Sequence, residues 1–141
     1  MSKNILEINN LITEFTSDNK SMKAVNDVSF SIGEGEIVGV VGESGSGKSV
    51  TSLSIMGLVP SPPGKIVSGE ILFAKSDGTT VDTAKLKTEH LRRIRGNEIS
   101  MIFQEPMTSL NPVFSCGDQV SEAIILHEKI SPKEAKIKTI E

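Results

Sequence analysis

The stretch Gly42-Glu43-Ser44-Gly45-Ser46-Gly47-Lys48-Ser49 constrains this chain more than any other. It fits the phosphate-binding loop pattern G-x-x-x-x-G-K-[ST] at every fixed position. A loop that wraps phosphates turns its backbone N–H groups inward. It needs residues free to adopt unusual φ/ψ and to come close to the ligand, which Gly42, Gly45 and Gly47 provide. A helix that begins where the loop ends adds unpaired N–H groups and the positive end of its dipole. Lys48 is then placed to reach the outer phosphates as a cation, and the Ser49 hydroxyl to ligate Mg2+.

The flanks support this reading. Upstream, Glu36-Ile37-Val38-Gly39-Val40-Val41 is the short β-rich apolar run of a parallel strand buried on both faces. Downstream, Val50 to Val59 reads as a helix, with Leu53, Met56 and Leu58 at helical spacing and Pro60 just past its end. Strand, glycine loop, helix is the order the motif requires. A chance Gly/Ser-rich turn would not need those neighbours.

Before the loop, Ile5 to Leu11 reads as a strand with Leu6 and Ile8 on one face, and Thr16 to Ser21 as a polar loop. Val28, Phe30 and Ile32 alternate with serines, the period of a half-buried strand. Hairpin-length connections make these first strands antiparallel. After the helix, Pro60-Ser61-Pro62-Pro63-Gly64 breaks regular structure. Ile66-Val67 and Glu70 to Phe73 are predicted strand, and Asp77-Gly78 a turn before Thr79-Thr80-Val81. Thr88 is placed to cap a short basic helix, Glu89 to Arg95, with Gly96 past its end. Arg92, Arg93 and Arg95 read as a solvated helix face rather than an anion site. Ile99 to Phe103 is predicted strand, ending at Gln104. An irregular loop from Glu105 to Pro112 follows, then a helix from about Asp118. Ser131-Pro132-Lys133-Glu134 is a helix start with Ser as N-cap and Glu three residues on.

Composition narrows the function classes. A net charge of −3 argues against a nucleic-acid footprint, and aromatics at 4%, with no Trp or Tyr, leave few surfaces for stacking bases. One cysteine, Cys116, rules out an internal disulfide, fits a reducing compartment and reads as a small packing residue. His90 and His127 lack partners at metal-ligand spacing. No apolar run reaches membrane-spanning length and the N-terminus lacks a signal-peptide core, so a membrane role would come through a partner.

At Gly42 to Ser49, together with Ile99 to Pro112, the chain resembles the ATP-binding subunits of ATP-binding-cassette (ABC) transporters. The run Ile102-Phe103-Gln104-Glu105-Pro106-Met107-Thr108-Ser109-Leu110-Asn111-Pro112 is similar to the oligopeptide, dipeptide and nickel import subfamily. The resemblance covers essentially the whole chain. It implies an α/β fold: a P-loop NTPase core with an antiparallel β edge in residues 1–113, and the start of a helical subdomain in residues 114–141. It implies ATP and Mg2+ as cofactors, with Gly42, Glu43, Ser44, Gly45, Ser46, Gly47, Lys48, Ser49 and Val50 around the nucleotide. Gln104 matches the glutamine that contacts Mg2+ and the attacking water, a task suited to an amide that both accepts and donates. Lys48 and Gln104 are the catalytic candidates, and Ser49 and Gln104 the metal candidates. Phe15 matches the aromatic that stacks on adenine; an ordinary packing aromatic is the other reading.

The resemblance further implies transporter membrane subunits as partners, met by the loop from Glu105 to Pro112. It also implies a second ATPase subunit, and a place on the cytoplasmic, inner face of the membrane. The implied activity is an ATPase that energises uptake of peptides or related small solutes. The family's LSGGQ-like signature, catalytic glutamate and switch histidine do not occur in these 141 residues. The chain therefore resembles the N-terminal part of a longer subunit. In such a part, apolar sheet surface should lie bare, and the chain alone should bind nucleotide without turnover. The rival readings are an ABC-type or other P-loop NTPase not linked to transport. A guanine reader Asn-Lys-x-Asp is absent, since Asn19-Lys20 is followed by Ser21 and Met22.

Overall fold

The structure, a computed structural model, describes residues 3–18, 20–104 and 110–140. The chain divides into two compact units, Met1–Glu98 and Ile99–Glu141.

The first unit is built on an antiparallel sheet of order β2-β1-β3-β4. Its strands are β1 (Asn4–Ser17), β2 (Lys20–Gly33), β3 (Gly64–Ala74) and β4 (Thr80–Asp82). β1 and β2 are longer than their hydrophobic alternation indicates. The ladder continues through the predicted loop to the pair Ser17 and Lys20, and Asp18 takes the positive φ, 49°, that short hairpin turns demand. The polar residues there misled the sequence reading because they pair in an exposed ribbon.

A bulge explains how one face of β1 stays buried. Leu6 and Ile8 are buried, then the parity switches and Leu11 and Thr13 are buried. Between them the pairing to β2 slips, with Asn10 at φ 48° facing Asp27 at φ 56°. Asn and Asp tolerate this left-handed region, and one extra residue resets the alternation. Asn10 Nδ2 donates to Asp27 Oδ1 at 2.8 Å, and the Asn10 N–H to Ser29 Oγ at 2.8 Å, which pins the bulge. β3 is bulged in register with it. Gly69 sits at φ 97°, and a Cβ there would lie 2.6 Å from the Asn10 carbonyl oxygen, so the two predicted half-strands are one strand with a glycine at its kink.

Helix α1 (Lys48–Ile55) packs against β1 and β2, and helix α2 (Thr88–Ile94) closes the unit with Leu91 and Ile94. With Leu6, Ile8, Leu11, Val25, Met56, Ile71 and Phe73 these form its core. Lys87 rather than Thr88 stands at the α2 N-cap, and no side chain caps it.

The predicted strand at residues 37–41 is not in a ladder. Among the described residues nothing pairs with it, and Ile37 and Val41 are 97% and 94% exposed. Of residues 99–103, Ile99 makes a single bridge and 100–103 lie in no ladder, with Ile102 95% exposed. A parallel strand needs neighbours on both edges to become one. Apolar surface expected to lie bare does so at both places.

In the second unit, helices α3 (Cys116–Glu128) and α4 (Pro132–Ile140) pack on each other, with Ala135 fully buried. Ser115 caps α3 by accepting the Asp118 N–H at 3.1 Å. Ser131 and Glu134 form the predicted reciprocal box at the start of α4. Cys116 is exposed in the first turn of α3, not packed as its residue type led us to expect, because that turn has no element against it among the described residues.

Candidate functional site

The predicted phosphate loop enters α1 through a glycine that no other residue could replace. Gly47 is the N-cap, at φ 91° and ψ 1°, in the left-handed region. A Cβ at this position would overlap the carbonyl oxygen of Ala24 on β2. Gly45 also holds a positive φ, 82°, and the Ser46 N–H donates to the Glu43 carbonyl at 3.2 Å to close a turn.

Lys48 folds back onto this loop. Its Nζ donates to the carbonyl oxygens of Gly42 at 2.6 Å and Glu43 at 2.7 Å, and lies 3.2 Å from Ser46 Oγ. Phosphate oxygens are acceptors of the same kind and stronger for being charged. The helix start favours an anion as well. Its first N–H groups have no intrahelical acceptor, Gly47 offers no capping side chain, and no acidic residue stands in the first turn. The Ser49 hydroxyl is exposed in that turn, in reach of solvent and of a cation carried by phosphates. Glu43 and Ser44 are exposed on the loop, and Val50 is half-buried with its carbonyl accepting from Ser54 Oγ at 2.8 Å. The residues present therefore fit a nucleotide phosphate chain with a hard cation.

Phe15 is half-buried near the end of β1, between its pairing partners Met22 and Gly64. Its ring edge rests over Gly64, where a Cβ would lie 2.9 Å from Phe15 Cε1. Phe15 and the loop belong to the first unit, and Gln104 to the second, where its side chain is exposed. Of the predicted partner loop, residues 105–109 lie outside the described residues. Leu110 is 49% exposed.

The model of the family described as ABC transporter matches residues 25–140. The chain belongs to the ABC transporter family. The ABC proteins it is similar to include the oligopeptide transport ATP-binding protein AppD of Bacillus subtilis, 51% identical over 97% of this chain and 40% of the relative. Another is the dipeptide transport ATP-binding protein DppD of the same organism, 47% identical over 94% of this chain and 38% of the relative. The chain thus spans about two fifths of the length of these curated ABC relatives. Among solved structures it is similar to the ATP-binding cassette MJ0796, a dimer in a post-hydrolysis state bound to ADP and Pi. There the TM-score is 0.77 at 26% identity, over 96% of this chain and 54% of that one.

Two features of this ABC chain escaped the sequence reading. Thr13 and Ser54, both fully buried, join β1 to α1 through their hydroxyls. Arg95, read as part of a solvated face, is half-buried and bonds to the far end of α1. Neither pairing has a local signal, since the partners are 41 and 39 residues apart for Ser54 and Met56 respectively. Only the position of Arg95, next to a helix-ending glycine, hinted at a capping role.

Proposed function

We propose that this chain carries the nucleotide-binding part of an ATPase that energises import of peptides or related small solutes across the cytoplasmic membrane. The observation that carries the reading is Lys48 Nζ bound to Gly42 and Glu43 carbonyl oxygens at the start of an uncapped helix. ATP would lie with its phosphates on residues 45–49, Lys48 neutralising their charge and the α1 amides donating to them. Bound Mg2+ would supply charge neutralisation at the phosphates, held from the first unit by Ser49, while Gln104 keeps its assignment to the metal from the family resemblance alone. Phe15 is assigned to the adenine. Names of the relatives, oligopeptide and dipeptide transport ATP-binding proteins, support the solute class. The dimeric MJ0796 supports a second ATPase subunit as partner. The loop at residues 105–112 is assigned to transporter membrane subunits, which would place the chain on the inner face of the membrane.

Calorimetry of MgATP with the unaltered chain and with Lys48→Ala tests the nucleotide assignment. Hydrogen bonds to charged groups are worth about 1.5–3 kcal/mol, so the variant should bind at least about tenfold more weakly. Equal affinity of the two proteins would reject it.

A further inference from the structure

Arg95 ends α2 and reaches the opposite end of the helix that starts at the phosphate loop. Its Nε donates to the Met56 carbonyl at 2.7 Å and its Nη2 to the Gly57 carbonyl at 2.6 Å. Met56 is the C-cap of α1. Carbonyls there lack intrahelical donors and carry the negative end of the dipole, so a forked cation satisfies both needs at once. The approach is tight. Gly57 sits at φ 62°, and a Cβ on it would lie 2.7 Å from Leu91 Cδ1 and 3.0 Å from Arg95 Nη2. The backbone of Arg95 is held as well, its N–H donating to the Leu91 carbonyl at 2.9 Å. Glu98 N–H returns to the Ile94 carbonyl at 2.8 Å, so the turn after Arg95 is closed.

Helix α1 has eight residues, a rod of about 12 Å. The Thr13–Ser54 bond and the bond from Thr83 Oγ1 to the Ile55 carbonyl, at 3.2 Å, both hold it in its last turn. Each of these is a single bond from a neutral hydroxyl; the Arg95 fork adds two charge-assisted bonds to the carbonyls just beyond them. We propose that Arg95 is a positioning residue for the nucleotide site. By clamping the C-terminus of α1 it holds the amides that follow Gly47, and Lys48, in the arrangement that receives phosphates. This rests on the nucleotide-binding reading above. Without the clamp the loop must be ordered on binding, and that ordering appears as lost affinity rather than as a lost fold.

The experiment compares MgADP affinity and melting temperature in the unaltered 141-residue chain and in Arg95→Ala, Arg95→Lys and Asp82→Ala. Asp82 Oδ1 accepts the N–H groups of Ile71 and Ala84 and bonds to no residue of α1, its neighbour Thr83 meeting the Ile55 carbonyl instead, so its loss destabilises the same unit while leaving both Arg95 bonds in place. Arg95→Ala should weaken MgADP binding about threefold to tenfold. Arg95→Lys should fall between, keeping the charge but not the fork. Asp82→Ala should lower the melting temperature and leave affinity within about twofold, as expected for independent sites. If Arg95→Ala does not fold, Arg95→Lys against Asp82→Ala decides by the same comparison. Unchanged affinity in the Arg95 variants, or an equal loss in Asp82→Ala, overturns the inference alone. Absence of MgADP binding by the unaltered chain overturns both it and the proposed function.

Discussion

The hydroxyl of Thr13 donates to that of Ser54 across 2.9 Å, inside a site from which both side chains are fully excluded from solvent. The direction follows from Ser54, whose single proton goes to the Val50 carbonyl at 2.8 Å. This pair ties the central strand of the sheet to the helix behind the phosphate loop. Thr13→Val removes the donor at nearly constant volume and should cost about 0.5–1.5 kcal/mol in urea unfolding. Ser54→Ala leaves the Thr13 hydroxyl buried without its acceptor. The double variant should then recover at least about 0.5 kcal/mol of the summed losses. Strict additivity would mean that the two hydroxyls do not act as a pair.

Two glycines of the loop should respond differently to a methyl group. At Gly45, φ is 82° but the space around a Cβ is open, so Gly45→Ala meets only backbone strain, about 1–2 kcal/mol. At Gly47 the same strain is joined by overlap with the Ala24 carbonyl, a backbone atom of a paired strand that cannot step aside. Gly47→Ala should lower the melting temperature well beyond Gly45→Ala and move the loop off β2. Equal melting temperatures would show that the helix start does not rest on β2.

The parts legible in the sequence are those whose partners lie close along the chain. The phosphate loop and the Ser131–Glu134 box each follow from a few neighbouring residues and stand where expected, while the helix after the loop runs from Lys48 to Ile55 and stops short of the predicted Val59. Residues 37–41 and 99–103 have the composition of strands, yet composition supplies only one side of a ladder, and Ile37 and Ile102 stand almost fully exposed. Asn10 and Asp27 are separated by one hairpin, and nothing local announces that their side chains will pin a bulge. Arg95 was misread for a related reason: a basic residue in a basic run carries no mark of the two carbonyls it will meet.

Acid should loosen the start of α4 in a way that depends on Ser131. The Glu134 carboxylate accepts the Ser131 hydroxyl at 2.6 Å and the Ser131 N–H at 3.0 Å, and these bonds, the hydroxyl first, hold its pKa below the ordinary value. A folded pKa below the unfolded one means that the unfolded state binds more protons as the pH falls. The contribution of the box is therefore complete above the ordinary carboxylate range and is lost as pH drops through the lower folded value. Carboxyl-carbon NMR titration should show Glu134 moving upward in Ser131→Ala, with earlier fraying of α4. An unmoved titration curve would count against the box as the cause.

The 141-residue chain alone should bind nucleotide without turning it over. Phosphoryl transfer to water needs a positioned water, a cation clamp, and donors for charge developing on the γ-phosphate. In the proposed reading Lys48 and Ser49 would provide part of the clamp, and the Gln104 amide would hold a water or a metal. Among the described residues of the loop and of the first turn of α1, none other than Glu43 is acidic. The first turn of α1 holds no acidic residue, and neither the signature motif nor the catalytic glutamate that the family leads us to expect occurs in the sequence. Phosphate release should be measured for the chain beside Lys48→Ala, and the two should be indistinguishable. Lys48-dependent hydrolysis over many turnovers, at the roughly 1–10³ s⁻¹ of ordinary enzymes, would show that these residues suffice and that the base has been missed.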